Sequence, residues 1–260
     1  MEKVIFFGNG ALAEYALAVI GAKCQVIFQA HSREDLEEVC RLKREFPEAH
    51  GVLASFGVLI PGSVLEVFEP EGILNIHPSL LPLYRGASPI ESAILDGATD
   101  FSVSIMKLVS KMDAGPIYWQ TTLSGLLLCK NEIYKALAET GAEWIVAHLS
   151  DLPKPVLQDD SKATFCGKLT KAVGELTPET DTAEQTFRKI VAYQGFPKPK
   201  YAFWGVKCII LEAHIAEAGE TAVLSIPCAD GLSVAVDRLQ PEGRKAMDAK
   251  AFINGYGKKA

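Results

Sequence analysis

The sequence predicts an α/β domain followed by a smaller β-rich one, and three observations predict it. Residues 4–7, Gly8-Asn9-Gly10 and residues 11–20 read as strand, tight turn and apolar helix, the opening of a Rossmann-like unit. Strand-like and helical runs then alternate as far as residue 149. Beyond Pro153 and Pro155 the pattern changes to short β-type runs separated by glycines. The expected division is a Rossmann-like α/β domain over residues 1–150, a linker over 151–163, and a barrel-like (OB-like) β domain over 164–260. A chain of 260 residues is long enough for two such cores.

Taken in order, the first strand and helix lead to a second strand over residues 24–28. Ser32, with Asp35 three residues on, predicts the N-cap of a charged helix that ends before Pro47. Residues 51–55 make a third strand, and Phe56-Gly57-Val58-Leu59-Ile60-Pro61 an apolar loop. A helix is expected over 87–95, an alternating strand over 101–106, another strand over 117–123 and a long amphipathic helix over 131–149. In the C-terminal part a helical stretch, 182–191, precedes β-type runs over 201–211 and 221–237.

An apolar share of 48% belongs to a globular protein. The N-terminus carries no basic leader, and no apolar run reaches the roughly 18 residues of a membrane span, so a cytoplasmic protein with no membrane partner is expected. Six scattered cysteines without a Cys-x-x-Cys pair predict buried thiols and imply no metal. Residues 1–160 hold 12 basic and 21 acidic side chains, whereas 161–260 hold 14 and 11. The net charge of −6 argues against a wholly basic nucleic-acid binder, while the C-terminal part could meet RNA.

Chemistry concentrates between Gly72 and Gly86. Asn75 and His77 lie two residues apart on a short apolar strand, so both side chains leave on one face. Pro78, Pro82 and Gly86 then enforce an irregular loop that carries Ser79 and Arg85. A competing pattern, Gly8-x-Gly10-x-x-Ala13, partly matches a dinucleotide fingerprint and keeps an NADP-binding module in view. Gln29-Ala30-His31 stands where an acid should bind the ribose.

The run from Asn75 through Ser79-Leu80-Leu81-Pro82 to Tyr84-Arg85-Gly86-Ala87-Ser88-Pro89-Ile90 resembles the signature of the folate-dependent formyltransferases. Asp113, in Lys111-Met112-Asp113-Ala114-Gly115-Pro116-Ile117, matches their third catalytic member. The Arg-Gly-x-x-Pro-Ile ending and Leu239-Gln240-Pro241-Glu242-Gly243-Arg244-Lys245-Ala246-Met247 look most like members that act on methionyl-tRNA. The resemblance covers nearly the whole chain. It implies 10-formyltetrahydrofolate as donor and initiator methionyl-tRNA as partner, in translation initiation; a monomer is expected. Asn75 and His77 would hydrogen-bond a tetrahedral oxyanion, and Asp113 would orient His77 and help take the amine proton. Phe56, Gly57, Val58, Leu59, Ile60 and Pro61, with Ser79, Leu80, Leu81 and Pro82, would contact the folate. Arg85 would hold loop geometry or a substrate phosphate, and Gly86, Lys198 and Lys200 would contact the substrate, the two lysines at tRNA phosphates.

Two departures matter. Residues 29–48 contain no long basic loop of the kind that reads the tRNA acceptor end, which leaves initiator selection open. Formyltransferases acting on sugar-nucleotide amines share the catalytic trio and stand as the alternative. Those acting on glycinamide ribonucleotide share Asn-Ile-His-Pro-Ser-Leu-Leu-Pro, but Ala11-Leu12 follows Gly10 where they would carry Ser-Asn.

Overall fold

The computed structural model describes residues 1–126, 128–217 and 219–257; Leu127, Ala218 and residues 258–260, which the expected domain ranges include, lie outside the described residues. The chain forms two compact units, Met1–Ala93 with Ala98–Gly167, and Ile94–Gly97 with Lys168–Ala260. As far as Gly167 the elements are β1 (Lys3–Gly8), α1 (Gly10–Lys23), β2 (Gln25–Ala30), α2 (Leu36–Glu45), β3 (His50–Ala54), α3 (Gly62–Glu66), β4 (Ile73–His77), β5 (Arg85–Gly86), α4 (Pro89–Leu95), β6 (Phe101–Lys107), β7 (Ile117–Leu123), α5 (Lys130–His148) and β8 (Phe165–Cys166).

Six of these strands form one sheet in the order β2-β1-β3-β4-β6-β7. The first four are parallel, β6 runs antiparallel to β4, and β7 antiparallel to β6. Parallel strands are covered on both faces, which is why Val4, Ile5, Phe6 and Phe7 are all fully buried. On one face Ile5, Phe7, Leu53 and Ile73 pack with Leu36, Val39 and Leu42 of α2 and Val64 of α3. On the other face α5 meets the sheet at Gly141, where an added Cβ would lie 2.9 Å from Ile76 Cγ2. Side chains alternate along a strand, so Ile73, Asn75 and His77 share the first face and Ile76 the second.

The N-cap of α2 is Asp35 and not Ser32. The Ser32 Oγ is turned to the Asp35 carboxylate, which also accepts from His31 N and Ser32 N, at 3.1, 2.8 and 2.9 Å, and neither side chain caps an N–H of α2. The stretch expected as a linker is also no free tether. Val156 exchanges both backbone hydrogen bonds with Ile117, each 2.8 Å, and the first unit closes only at Gly167.

The second unit holds α6 (Ala183–Ala192), β9 (Lys200–Phe203), β10 (Val206–Ile215), β11 (Ser225–Pro227), β12 (Ser233–Pro241), β13 (Met247–Asp248) and α7 (Ala249–Tyr256). Its strands are antiparallel, in the order β11-β12-β10-β9 with β13 beside β12. Thr182 and Gln185 form a capping box at the start of α6. The β run expected over 201–211 divides in two because Trp204 (φ 51°) and Gly205 (φ 84°) make a left-handed two-residue turn. Ile210, Ile226, Val234, Leu239 and Phe252 form the centre of this core.

Candidate active site

Strand β4 places Asn75 and His77 on one face, both nearly buried. The Asn75 amide has no hydrogen-bond partner among the described residues. No fully buried side-chain N or O among them lacks a partner, so that amide is reached from the open side of the site. His77 Nε2 lies 3.1 Å from the carbonyl oxygen of Tyr84, which can only accept, so this nitrogen carries a proton. The other ring nitrogen, Nδ1, lies 3.7 Å from Asp113 Oδ1. That separation is too long for a hydrogen bond and short enough for a charge contact.

Asp113 does not reach His77 from the carboxyl end of a parallel neighbour, the layout an open α/β sheet suggests. Because β6 runs antiparallel to β4, its end at Lys107 lies opposite Leu74, and the segment between β6 and β7 must turn back. There Asp113 adopts φ 48°, and Oδ2 accepts the Gly86 N–H at 2.8 Å. Ser55 (φ 51°) and Tyr84 (φ 55°), in loops after β3 and β4, share this left-handed conformation. Such residues each cost about 1–3 kcal/mol and persist where the surroundings hold them.

The surroundings are polar and specific. Ser104 on β6 donates from Oγ to the Ser79 carbonyl at 2.6 Å and accepts the Leu81 N–H at 3.1 Å. Gln120 on β7 donates to the Leu81 carbonyl, at 2.8 Å, and to Ser104. Ser79 closes its own turn through Oγ to the Leu83 carbonyl, 2.6 Å. Strand β5 pairs with β8, and at Gly86 (φ 125°) an added Cβ would meet the Cys166 carbonyl oxygen. Cys166 donates from Sγ to the carbonyls of Tyr84 and Arg85, and burial pushes its thiol pKa up.

Arg85, expected to hold either loop geometry or a substrate phosphate, is 1% exposed. Its Nε and Nη2 donate to Gln158 Oε1 at 3.0 and 2.7 Å, and Nη2 meets Asp160 Oδ1 at 2.8 Å. It holds the loop because protein acceptors already occupy it. Gly86 likewise acts through its N–H on Asp113. Ser104, Gln120 and Gln158 carried no sequence signal beyond polar residues beside the matched motifs.

In the expected folate loop, Phe56 and Ile60 are buried, Phe56 edge-on to Phe7 at 5.7 Å. Leu59 is exposed, and the backbone groups of residues 57–60 have no hydrogen-bond partner among the described residues. Pro61 caps α3, Leu81 is buried, Leu80 is exposed, and the Pro82 carbonyl accepts the Thr164 N–H at 3.2 Å. Lys198 (φ 78°) and Lys200 belong to the second unit. Lys200 sits 3.5 Å from Glu175 and lines a cavity of about 190 Å³ with Lys207, Gln240 and Gly243. Around the partial dinucleotide pattern, Asn9 bonds the His31 carbonyl at 2.6 Å, and the His31 and Ser32 N–H groups go to Asp35.

Residues 12–149 match the family described as formyl transferase, and residues 168–257 the formyl transferase C-terminal domain. A methionyl-tRNA formyltransferase of Thermus thermophilus is 34% identical over 232 residues, 83% of this chain and 73% of that protein. Among solved structures, methionyl-tRNA formyltransferase from Clostridium thermocellum superposes with a TM-score of 0.66 at 17% identity, covering 93% of this chain and 98% of that one. HypX from Aquifex aeolicus, in complex with tetrahydrofolic acid, gives 0.74 at 17% identity, covering all of this chain and 48% of that one. At those identities the two structures share its fold.

Proposed function

The chain belongs to the formyl transferase family, and on that premise we propose that it transfers a formyl group from 10-formyltetrahydrofolate to the α-amino group of methionyl-tRNA. One observation carries this most: a nearly buried asparagine whose amide is uncommitted, two residues from a histidine that faces an aspartate.

The neutral amine attacks the formyl carbon, a C–N bond forms, and the carbonyl electron pair moves to oxygen. Asn75 donates to that oxyanion; one such donor stabilises the transition state by about 3–4 kcal/mol. With its Nε2 proton held on the Tyr84 carbonyl, His77 presents Nδ1 to receive the proton the amine loses. The imidazolium so formed faces the Asp113 carboxylate. Collapse of the intermediate breaks the bond to N10 of the folate, which takes the proton from the imidazolium and returns His77 to its neutral form. With Nε2 directed at the Tyr84 carbonyl, the role proposed for His77 is that of base, where the resemblance implied an oxyanion donor. The uncommitted backbone of residues 57–60 suits the amide-like edge of a pterin, with Phe56 and Ile60 fixing the loop from behind.

Lys198 and Lys200 are the basic groups we assign to tRNA phosphates. The test is formyl transfer to initiator and elongator methionyl-tRNA in parallel, at low and physiological salt. Initiator-selective transfer that weakens with salt is expected; absence of transfer with folate still bound refutes the acceptor.

A further inference from the structure

We propose that Gln158 is a positioning residue that sets Asp113 against His77, an inference that rests on the reaction proposed above. Four hydrogen bonds meet on its amide. Nε2 donates to the carbonyls of Asp113 and Gly115, at 2.8 and 2.7 Å, while Oε1 accepts from Arg85 Nε and Nη2, at 3.0 and 2.7 Å. A guanidinium only donates and a carbonyl only accepts, so the amide orientation is fixed by its partners.

Asp113 is thereby gripped from two sides. Gly86 N–H holds its carboxylate, and Gln158 ties its main chain to Arg85, the residue next to Gly86. The left-handed backbone at Asp113 needs such a grip, since it relaxes where nothing opposes it. Gly115 has no room to compensate, because an added Cβ would meet the Lys107 carbonyl oxygen. Gln158 is itself located by the Val156–Ile117 backbone pair two residues earlier, and by the contact of Asp160 with Arg85 and Lys111. The segment between the two family matches therefore carries part of the active site.

Two substitutions separate the roles of the amide. Gln158→Glu keeps an acceptor for Arg85 and removes both N–H donors; Gln158→Met removes everything at similar length. Steady-state kinetics on the full chain should give a kcat reduced about 10- to 100-fold in both, because a small displacement of a catalytic group is enough. KM for folate and for methionyl-tRNA should change less than about threefold. A wild-type kcat in Gln158→Glu overturns the proposal, as does a loss confined to KM. If Gln158→Met fails to fold, Gln158→Glu carries the test; if neither variant binds folate, the residue holds the fold and the positioning role is refuted. A wild-type protein inactive on methionyl-tRNA refutes the proposed function, and this inference falls with it.

Discussion

Two histidines face carboxylates, one in each unit, and they are built in opposite ways. His214, on β10, is 44% exposed, with Nδ1 2.8 Å from Asp237 and Nε2 2.9 Å from Glu220. His77 is 5% exposed and its nearest carboxylate oxygen is 3.7 Å away. By distance the surface cluster is the tighter. By environment it is the weaker, since water and salt screen it and two flexible carboxylates must be ordered around it. His77 instead sits where a carbonyl fixes its proton and backbone and side-chain bonds fix its partner. Chemistry follows the buried frame, whereas the strength of the surface cluster varies with pH and salt.

Substitution in the frame should have the largest effects. His77→Ala and Asp113→Ala are each expected to lower kcat by about 10²–10⁴, with folate binding by fluorescence titration retained; full activity in either removes that residue from the reaction. Phe252→Ala, in the second core, should cost about 3–5 kcal/mol of that unit's stability, read from the urea midpoint. Gly86→Ala would drive a Cβ into the Cys166 carbonyl and displace the N–H that holds Asp113, so a fall in kcat of at least about tenfold is expected, with lowered thermal stability.

The smallest effect should come from His214→Asn. Asp237 first, then Glu220, raise the His214 pKa by accepting its hydrogen bonds. A raised pKa stabilises the fold fully below the unfolded value of about 6.5 and is lost as pH rises through the folded value. The substitution should therefore cost more stability at pH 6 than at pH 9, by under about 1 kcal/mol after solvent screening, and by less in high salt. A His214→Asn variant that impairs transfer as much as His77→Ala would show that the surface cluster takes part in the reaction.

What sequence made legible was local. The two-residue spacing of Asn75 and His77 put both on one face of a strand, and that is where they lie. The expected α/β architecture with a β-rich C-terminal unit is present, because strand and helix periods are written in the side chains. The remainder depended on distant partners. For Arg85 the sequence left two roles open, loop geometry or a substrate phosphate, because its partner Gln158 lies 73 residues away. Ser32 suits a helix start by residue type, but its hydroxyl goes to Asp35 and the helix begins after that residue. Residues 151–163 looked like a tether because backbone pairing with Ile117 leaves no periodic trace.

The uncommitted amide of Asn75 is the group on which the account depends most, and single-turnover formyl transfer by Asn75→Ala tests it directly. The rate should fall about 10²–10³-fold with folate affinity unchanged, the signature of an interaction made only in the transition state. An unchanged single-turnover rate, or a loss wholly explained by weaker folate binding, would contradict it.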